Sequence, residues 1–310
     1  MTSSKDRPEG TISWRELLAE TILALGEAEA IEAPELEARW MVEEASGLSG
    51  PEWVLGLDEL ATVRGVAHLD SMIKRRVNSE PIQYVLGHWS FRELDLLVDE
   101  RVLIPRPETE QVVEVAFREL DRLVELGPHR QVPTVVDLGT GSGAIGLSFV
   151  VERPRSRVWI TDASQSALSV ARANLSALGM AAGGVRVGAG SWFEALPSDL
   201  QGEIDLLISN PPYIGEDEQL AASVREWEPT EALISGPTGL ECYEVILAQA
   251  PQWLSEGGSI VLEIGASQGC ALVEMAQGAG FGDVRLEQDL AGLDRVLVAN
   301  LSPLSPERRD

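Results

Sequence analysis

Two cysteines and three widely spaced histidines, His68, His88 and His129, in 310 residues leave little for covalent cross-linking or metal chemistry. A disulfide framework needs more cysteines than Cys242 and Cys270, and no His/Cys cluster has ligand spacing. A reducing compartment and a metal-free site are expected. Long apolar runs are also missing: no stretch reaches the roughly 18 uninterrupted residues of a membrane helix. The polar segment Met1 to Gly10 lacks the basic-then-apolar order of a secretory signal. A cytoplasmic protein with no membrane partner follows as the expectation. Basic residues are scarce, 24 Lys and Arg against 50 Asp and Glu, for a net charge of −26. Such a field repels polyanions, so stable nucleic-acid binding is not expected, although acidic faces also serve solubility.

The chain changes character along its length. Ser13 and Glu16 form a capping-box pattern, and Trp14, Leu17, Leu18, Ile22 and Leu25 share a helical stripe. Pro34 opens a second periodic run through Leu36, Trp40 and Met41, and a third extends from Val63 to Val77. Residues 1–80 thus read as a small helical bundle, with Trp14, Trp40 and Trp53 as core. Short apolar runs at Tyr84-Val85-Leu86 and Leu94 to Val98 predict a β-hairpin linker over residues 81–106. From residue 107 to 310 strands alternate with helices, which predicts a doubly wound α/β sheet.

Asp137-Leu138-Gly139-Thr140-Gly141-Ser142-Gly143 falls where the first strand of that sheet, Thr134 to Leu138, hands over to a helix. Bare backbone there lets a ligand approach the carboxyl end of the strands, and Asp162 closes the next strand at the distance suited to ribose hydroxyls. An adenosine-type cofactor is implied. Gly141-x-Gly143-x-x-Gly146 also matches the dinucleotide pattern. A carboxylate at Asp137 would repel a pyrophosphate, however, and attract the ammonium of S-adenosylmethionine. Mere turn chemistry is the plainer reading of the glycines.

Asn210-Pro211-Pro212-Tyr213 follows the strand Ile204 to Ser209. The Asn210 side-chain oxygen and the Pro211 carbonyl can accept both hydrogens of an amide or exocyclic NH₂, and neither proline adds a competing N–H. Holding both hydrogens localises the nitrogen lone pair and aims it for in-line attack on a methyl group. Tyr213 would pack on the planar group. The same four residues could form an ordinary turn.

With these motifs, Leu103 to Glu110, Pro81 to Gly87 and Asp289 to Arg295 give the chain a resemblance, over nearly its whole length, to the release-factor glutamine methyltransferases, the HemK/PrmC family. The resemblance implies a Rossmann-like class I methyltransferase sheet behind an N-terminal helical domain for substrate recognition. It implies S-adenosylmethionine held by Gly139 to Gly143 and Asp162, Trp192 beside the adenine, and a substrate glutamine held by Asn210 to Tyr213. The acceptor would be the Gln of the Gly-Gly-Gln motif in class I peptide-chain release factors, the enzyme acting as a monomer. Ser191 stands where the family often has Asp. Arg106, between two prolines, either anchors the helix starting at Pro107 or lines the site. The alternatives are an amino methyltransferase of adenine or guanine and a non-catalytic binding module.

Overall fold

A computed structural model describes residues 10–126 and 132–301. The polar N-terminal residues 1–9 and His129 lie outside the described residues. Contacts divide the chain into two units, Met1–Gly87 and His88–Asp310.

The first unit is helical: α1 (Trp14–Gly26), α2 (Pro34–Ser46), α3 (Gly50–Gly56), α4 (Val63–Val77) and α5 (Ile82–Leu86). Ser13 caps α1, its hydroxyl accepting from the Glu16 N–H while the Glu16 carboxylate accepts from the Ser13 N–H. Trp14 and Trp53 are buried in one apolar cluster with Met41, Leu69 and Met72, and Trp40 packs against it. Helix α5 corrects the hairpin expectation. Pro81 presets the chain for a helical turn, and Gly87 ends it in the left-handed region at φ +82°, so Tyr84-Val85-Leu86 is helical and not a strand.

The hairpin is instead β1 (His88–Phe91) against β2 (Leu94–Leu97), within the second unit. The long helix α6 (Pro107–Leu126) follows. Then come β3 (Thr134–Leu138), α7 (Ala144–Glu152), β4 (Arg157–Asp162), α8 (Gln165–Ala177), β5 (Val185–Ala189) and β6 (Ile204–Ser209). A two-strand ribbon, β7 (Ile214–Gly215) with β8 (Ile234–Gly236), brackets the short helix α9 (Ala222–Trp227) and was not legible from periodicity. The chain continues through α10 (Glu241–Trp253), β9 (Leu254–Glu263), α11 (Gly269–Gly278), β10 (Phe281–Gln288) and β11 (Asp294–Leu301).

Seven strands form one sheet in the order β10-β11-β9-β6-β3-β4-β5. Strands β9, β6, β3, β4 and β5 are parallel neighbours, while β11 pairs antiparallel with both β9 and β10. β3 and β6 are buried at every position, as strands covered on both faces must be. Asp205 on β6 accepts the Thr134 N–H at 2.9 Å and the Ser255 hydroxyl at 3.0 Å, tying the starts of three neighbouring strands.

Candidate active site

Sheet register assembles the candidate residues. Leu138 pairs with Ser209 on one side and Thr161 on the other, and Asp162 pairs with Ala189. The segments that follow these residues therefore leave the same end of the sheet side by side. They bring together Gly139, Asp162, Gly190 to Trp192 and Asn210, at the carboxyl ends where open α/β sheets bind ligands. A cleft there is lined by Gly139, Gly141, Asp162, Ser191, Trp192, Asn210 and Pro212.

The glycine loop is held from beneath. Gly139, Gly141 and Gly143 all have positive φ, at +70°, +55° and +92°, and a Cβ at Gly141 would meet nothing within 4 Å. A side chain there would be strained and would also fill space open to a ligand. Asp137, fully buried, supports this loop through Oδ2, which accepts the Thr140 hydroxyl at 2.5 Å and the Gly146 N–H at 2.9 Å. It thus stands below the loop and not at its mouth. Its Oδ1 is buried with no partner among the described residues. Burial pushes its pKa up to about 7 against the pull of those two donors.

Asp162 receives the Gly141 N–H on Oδ2 at 2.9 Å and the Ser164 N–H on Oδ1 at 2.8 Å. Each oxygen keeps a lone-pair direction for a further donor. Burial raises this carboxyl too. Trp192, at φ +47°, holds a conformation costly for a bulky residue, and its ring lies against Gly139. Thr140, Ser142 and Gly143 support the loop from behind the cleft: Ser142 is buried, its carbonyl accepting from Asn174 Nδ2 at 2.8 Å, and the Gly143 N–H closes the turn onto the Thr140 carbonyl at 2.8 Å.

Asn210 and Pro212 line the cleft, whereas Pro211 is buried and Tyr213 packs against the main core. Burial, reinforced by Glu263, raises the Tyr213 phenol to about 12, so it stays protonated. Asn210 Nδ2 donates to the Thr109 hydroxyl at 3.4 Å, which itself donates to Glu263 Oε2 at 2.7 Å. Arg106 does not line the cleft. Its guanidinium pairs with the buried Glu228 carboxylate, whose Oε2 also accepts the Ile104 N–H at 3.1 Å.

Several of these residues escaped the sequence reading. Glu263 interrupts the apolar run from Ile260 to Ile264, a signal that was available. Glu228 and Gln268 gave none: Gln268 Nε2 donates to the Tyr213 and Gly239 carbonyls at 2.8 and 3.1 Å, and its Oε1 accepts the Gly265 N–H at 2.9 Å. One side chain thus anchors the backbone that follows Asn210. Among the described residues no group of His, Cys, Asp or Glu is arranged to hold a metal ion. No helix among them is long and apolar enough to cross a membrane.

The sheet order, the glycine turn after β3 and the acidic end of β4 define a class I methyltransferase fold. The solved catalytic domain of hMettl16, in complex with MAT2A 3′UTR hairpin 6, shares it at TM-score 0.51 and 12% identity, over 76% of this chain and 81% of that one. The PrmC N-terminal domain model matches residues 16–87 and the methyltransferase small domain model residues 121–226. The release factor glutamine methyltransferase of Chlorobaculum tepidum is 38% identical over 285 residues, 91% of this chain and 95% of its own length. That of Moorella thermoacetica is 38% identical over 292 residues, 93% of this chain and 98% of its own. The chain belongs to the release factor glutamine methyltransferase family.

Proposed function

We propose that the protein transfers a methyl group to the side-chain amide nitrogen of the glutamine in the Gly-Gly-Gln motif of class I peptide-chain release factors. The observation that carries this reading is Asn210 opening an Asn-Pro-Pro-Tyr segment beside the glycine loop, in a chain aligned almost end to end with named members of the family. The alternative acceptors, adenine or guanine amines, are not favoured by those relatives or by the charge of −26.

S-adenosylmethionine is the methyl donor, and it supplies an electrophilic methyl on a sulfonium. The residues present suit it. Asp137 would serve it indirectly, by holding the loop in shape from beneath through Thr140 and Gly146. The open space at Gly141 admits a ligand against bare backbone. Asp162 would accept the ribose hydroxyls on its remaining lone pairs, and Trp192, with Ser191, would cover the adenine. Ser191 offers a hydroxyl where a carboxylate is common, a weaker acceptor for an exocyclic amine.

Asn210 Oδ1 and the Pro211 carbonyl would take the two hydrogens of the substrate amide, with Tyr213 and Pro212 against its plane. An amide nitrogen is a poor nucleophile because its lone pair is delocalised. Fixing both hydrogens outside the amide plane localises the pair and turns it toward the cleft. No separate base is required: as nitrogen acquires positive charge its proton, already directed at a held oxygen, is readily lost. Residues 1–87 would contribute release-factor recognition, and Arg106 would hold the loop before α6 in place through Glu228. Incubating the protein with S-adenosylmethionine and a release factor, then weighing the tryptic Gly-Gly-Gln peptide, tests the proposal. One added methylene on Gln is expected, and an unmodified peptide beside methylated nucleic acid would overturn it.

A further inference from the structure

Asn210 can act as an acceptor only if its carboxamide is the right way round, because rotation by half a turn presents an NH₂ to the substrate's own NH₂. Behind it lies a chain of groups from three separate elements. Thr109, in the first turn of α6, is buried; Glu263, at the end of β9, is fully buried; Asn210 follows β6. A hydroxyl has one proton. Thr109 commits it to Glu263 Oε2 at 2.7 Å, so toward Asn210 it can only accept. The group it accepts from is Nδ2, at 3.4 Å, which leaves Oδ1 on the opposite side of the carboxamide.

We propose that Thr109 and Glu263 are positioning residues that fix the Asn210 carboxamide with its oxygen presented to the substrate amide. This rests on the reading of Asn210 as the amide acceptor. The device depends on Glu263 being an acceptor. A protonated Glu263 can give its proton to Thr109, whose own proton is then released toward Asn210 and stabilises the flipped carboxamide. Burial pushes Glu263 up to about 7, opposed by the Thr109 hydroxyl. Of the charged groups around it, Arg295 and Arg106 favour the carboxylate and Glu108 disfavours it; the Tyr213 and Tyr243 phenols face it as neutral groups, the latter donating to its backbone carbonyl at 2.8 Å. Ionisation is therefore gained as pH rises through neutrality, and with it the correct orientation.

The test measures turnover on a release factor at saturating S-adenosylmethionine, so that groups acting through cofactor affinity drop out. Thr109→Val should lower kcat about tenfold, roughly the loss of one polar contact, with cofactor Kd unchanged, and Thr109→Ser should restore most of it. The wild type should lose kcat below about neutral pH, and Glu263→Gln should be slower but flat across that range. Asn210→Ala separates the two layers. If it is inactive while Thr109→Val and Glu263→Gln keep wild-type kcat and pH profile, the positioning role is wrong and the acceptor role stands. If Asn210→Ala itself turns over normally, the acceptor role is wrong. Should Thr109→Val fail to fold, an acid limb retained in Glu263→Gln overturns the proposal by itself.

Discussion

Asp162 offers the cleanest separation of cofactor binding from chemistry. Its two oxygens each hold one backbone N–H, from Gly141 and Ser164, and each retains capacity for one ribose hydroxyl. Asp162→Ala removes the acceptors for both hydroxyls and frees the Gly141 N–H at the tip of the loop. Hydrogen bonds to a charged group contribute about 1.5–3 kcal/mol each. Taking the lower figure twice, because the site is open to water, gives about 3 kcal/mol, or about a hundredfold weaker binding. Calorimetric titration with S-adenosylmethionine reads this directly. A second ligand identifies the cause: an analogue lacking both ribose hydroxyls should bind the wild type as weakly as the variant binds the parent ligand, and should lose little more on the variant. An unchanged Kd for Asp162→Ala, or the same penalty for the analogue on both proteins, would refute the assignment.

Other outcomes follow from the same geometry. Asn210→Ala should leave S-adenosylmethionine affinity near wild type while kcat on a release factor falls about 10²–10³-fold, the cost of one preorganised transition-state contact; Asn210→Asp should keep partial activity. Asp137, raised to about 7, is partly protonated just below neutrality in the ligand-free protein. The ionised form holds the Thr140 hydroxyl and the Gly146 N–H more strongly, so the loop should be firmer and cofactor affinity higher as pH rises through about 7; calorimetric titrations giving the same Kd on both sides of that pH would refute the link. Gln268→Ala removes both donors and the acceptor that anchor Tyr213, Gly239 and Gly265, and should lower kcat more than cofactor affinity, measured by turnover and calorimetry side by side. With a net charge of −26, association with a basic release factor should slow as salt rises, and stopped-flow rates independent of ionic strength would assign the charge to solubility alone.

Much of this arrangement was legible in one dimension because the determining signals are local. The Ser13–Glu16 capping box, the glycines after β3 and the alternation of strands and helices each declare themselves within a few residues. Tyr84-Val85-Leu86 misled because three apolar residues have no resolvable period, and Pro81 with Gly87 can bound a strand or a single helical turn. The supporting partners were hidden for a different reason. Glu228 lies 124 residues from Ile104, and Glu263 lies 154 from Thr109. Their meaning exists only once distant strands are neighbours, and no spacing rule encodes that. Arg106 shows the same limit from the other side: the sequence left it between two roles, and its pairing with the buried Glu228 is visible only in the folded chain.

The strand order also fixes when the protein becomes competent during its own synthesis. Domains assemble as the chain emerges, earlier segments first. β3, β4 and β5 can pair once residue 189 has emerged, yet β6 joins β3 only later, and β9, which carries Glu263, must then dock on β6. Gln268, the anchor of the segment after Asn210, comes later still. A nascent chain therefore forms its glycine loop before the elements that contact Asn210 and the segment after it are in place. Cofactor loop and proposed acceptor segment thus mature at different times, the second waiting on strands made after it.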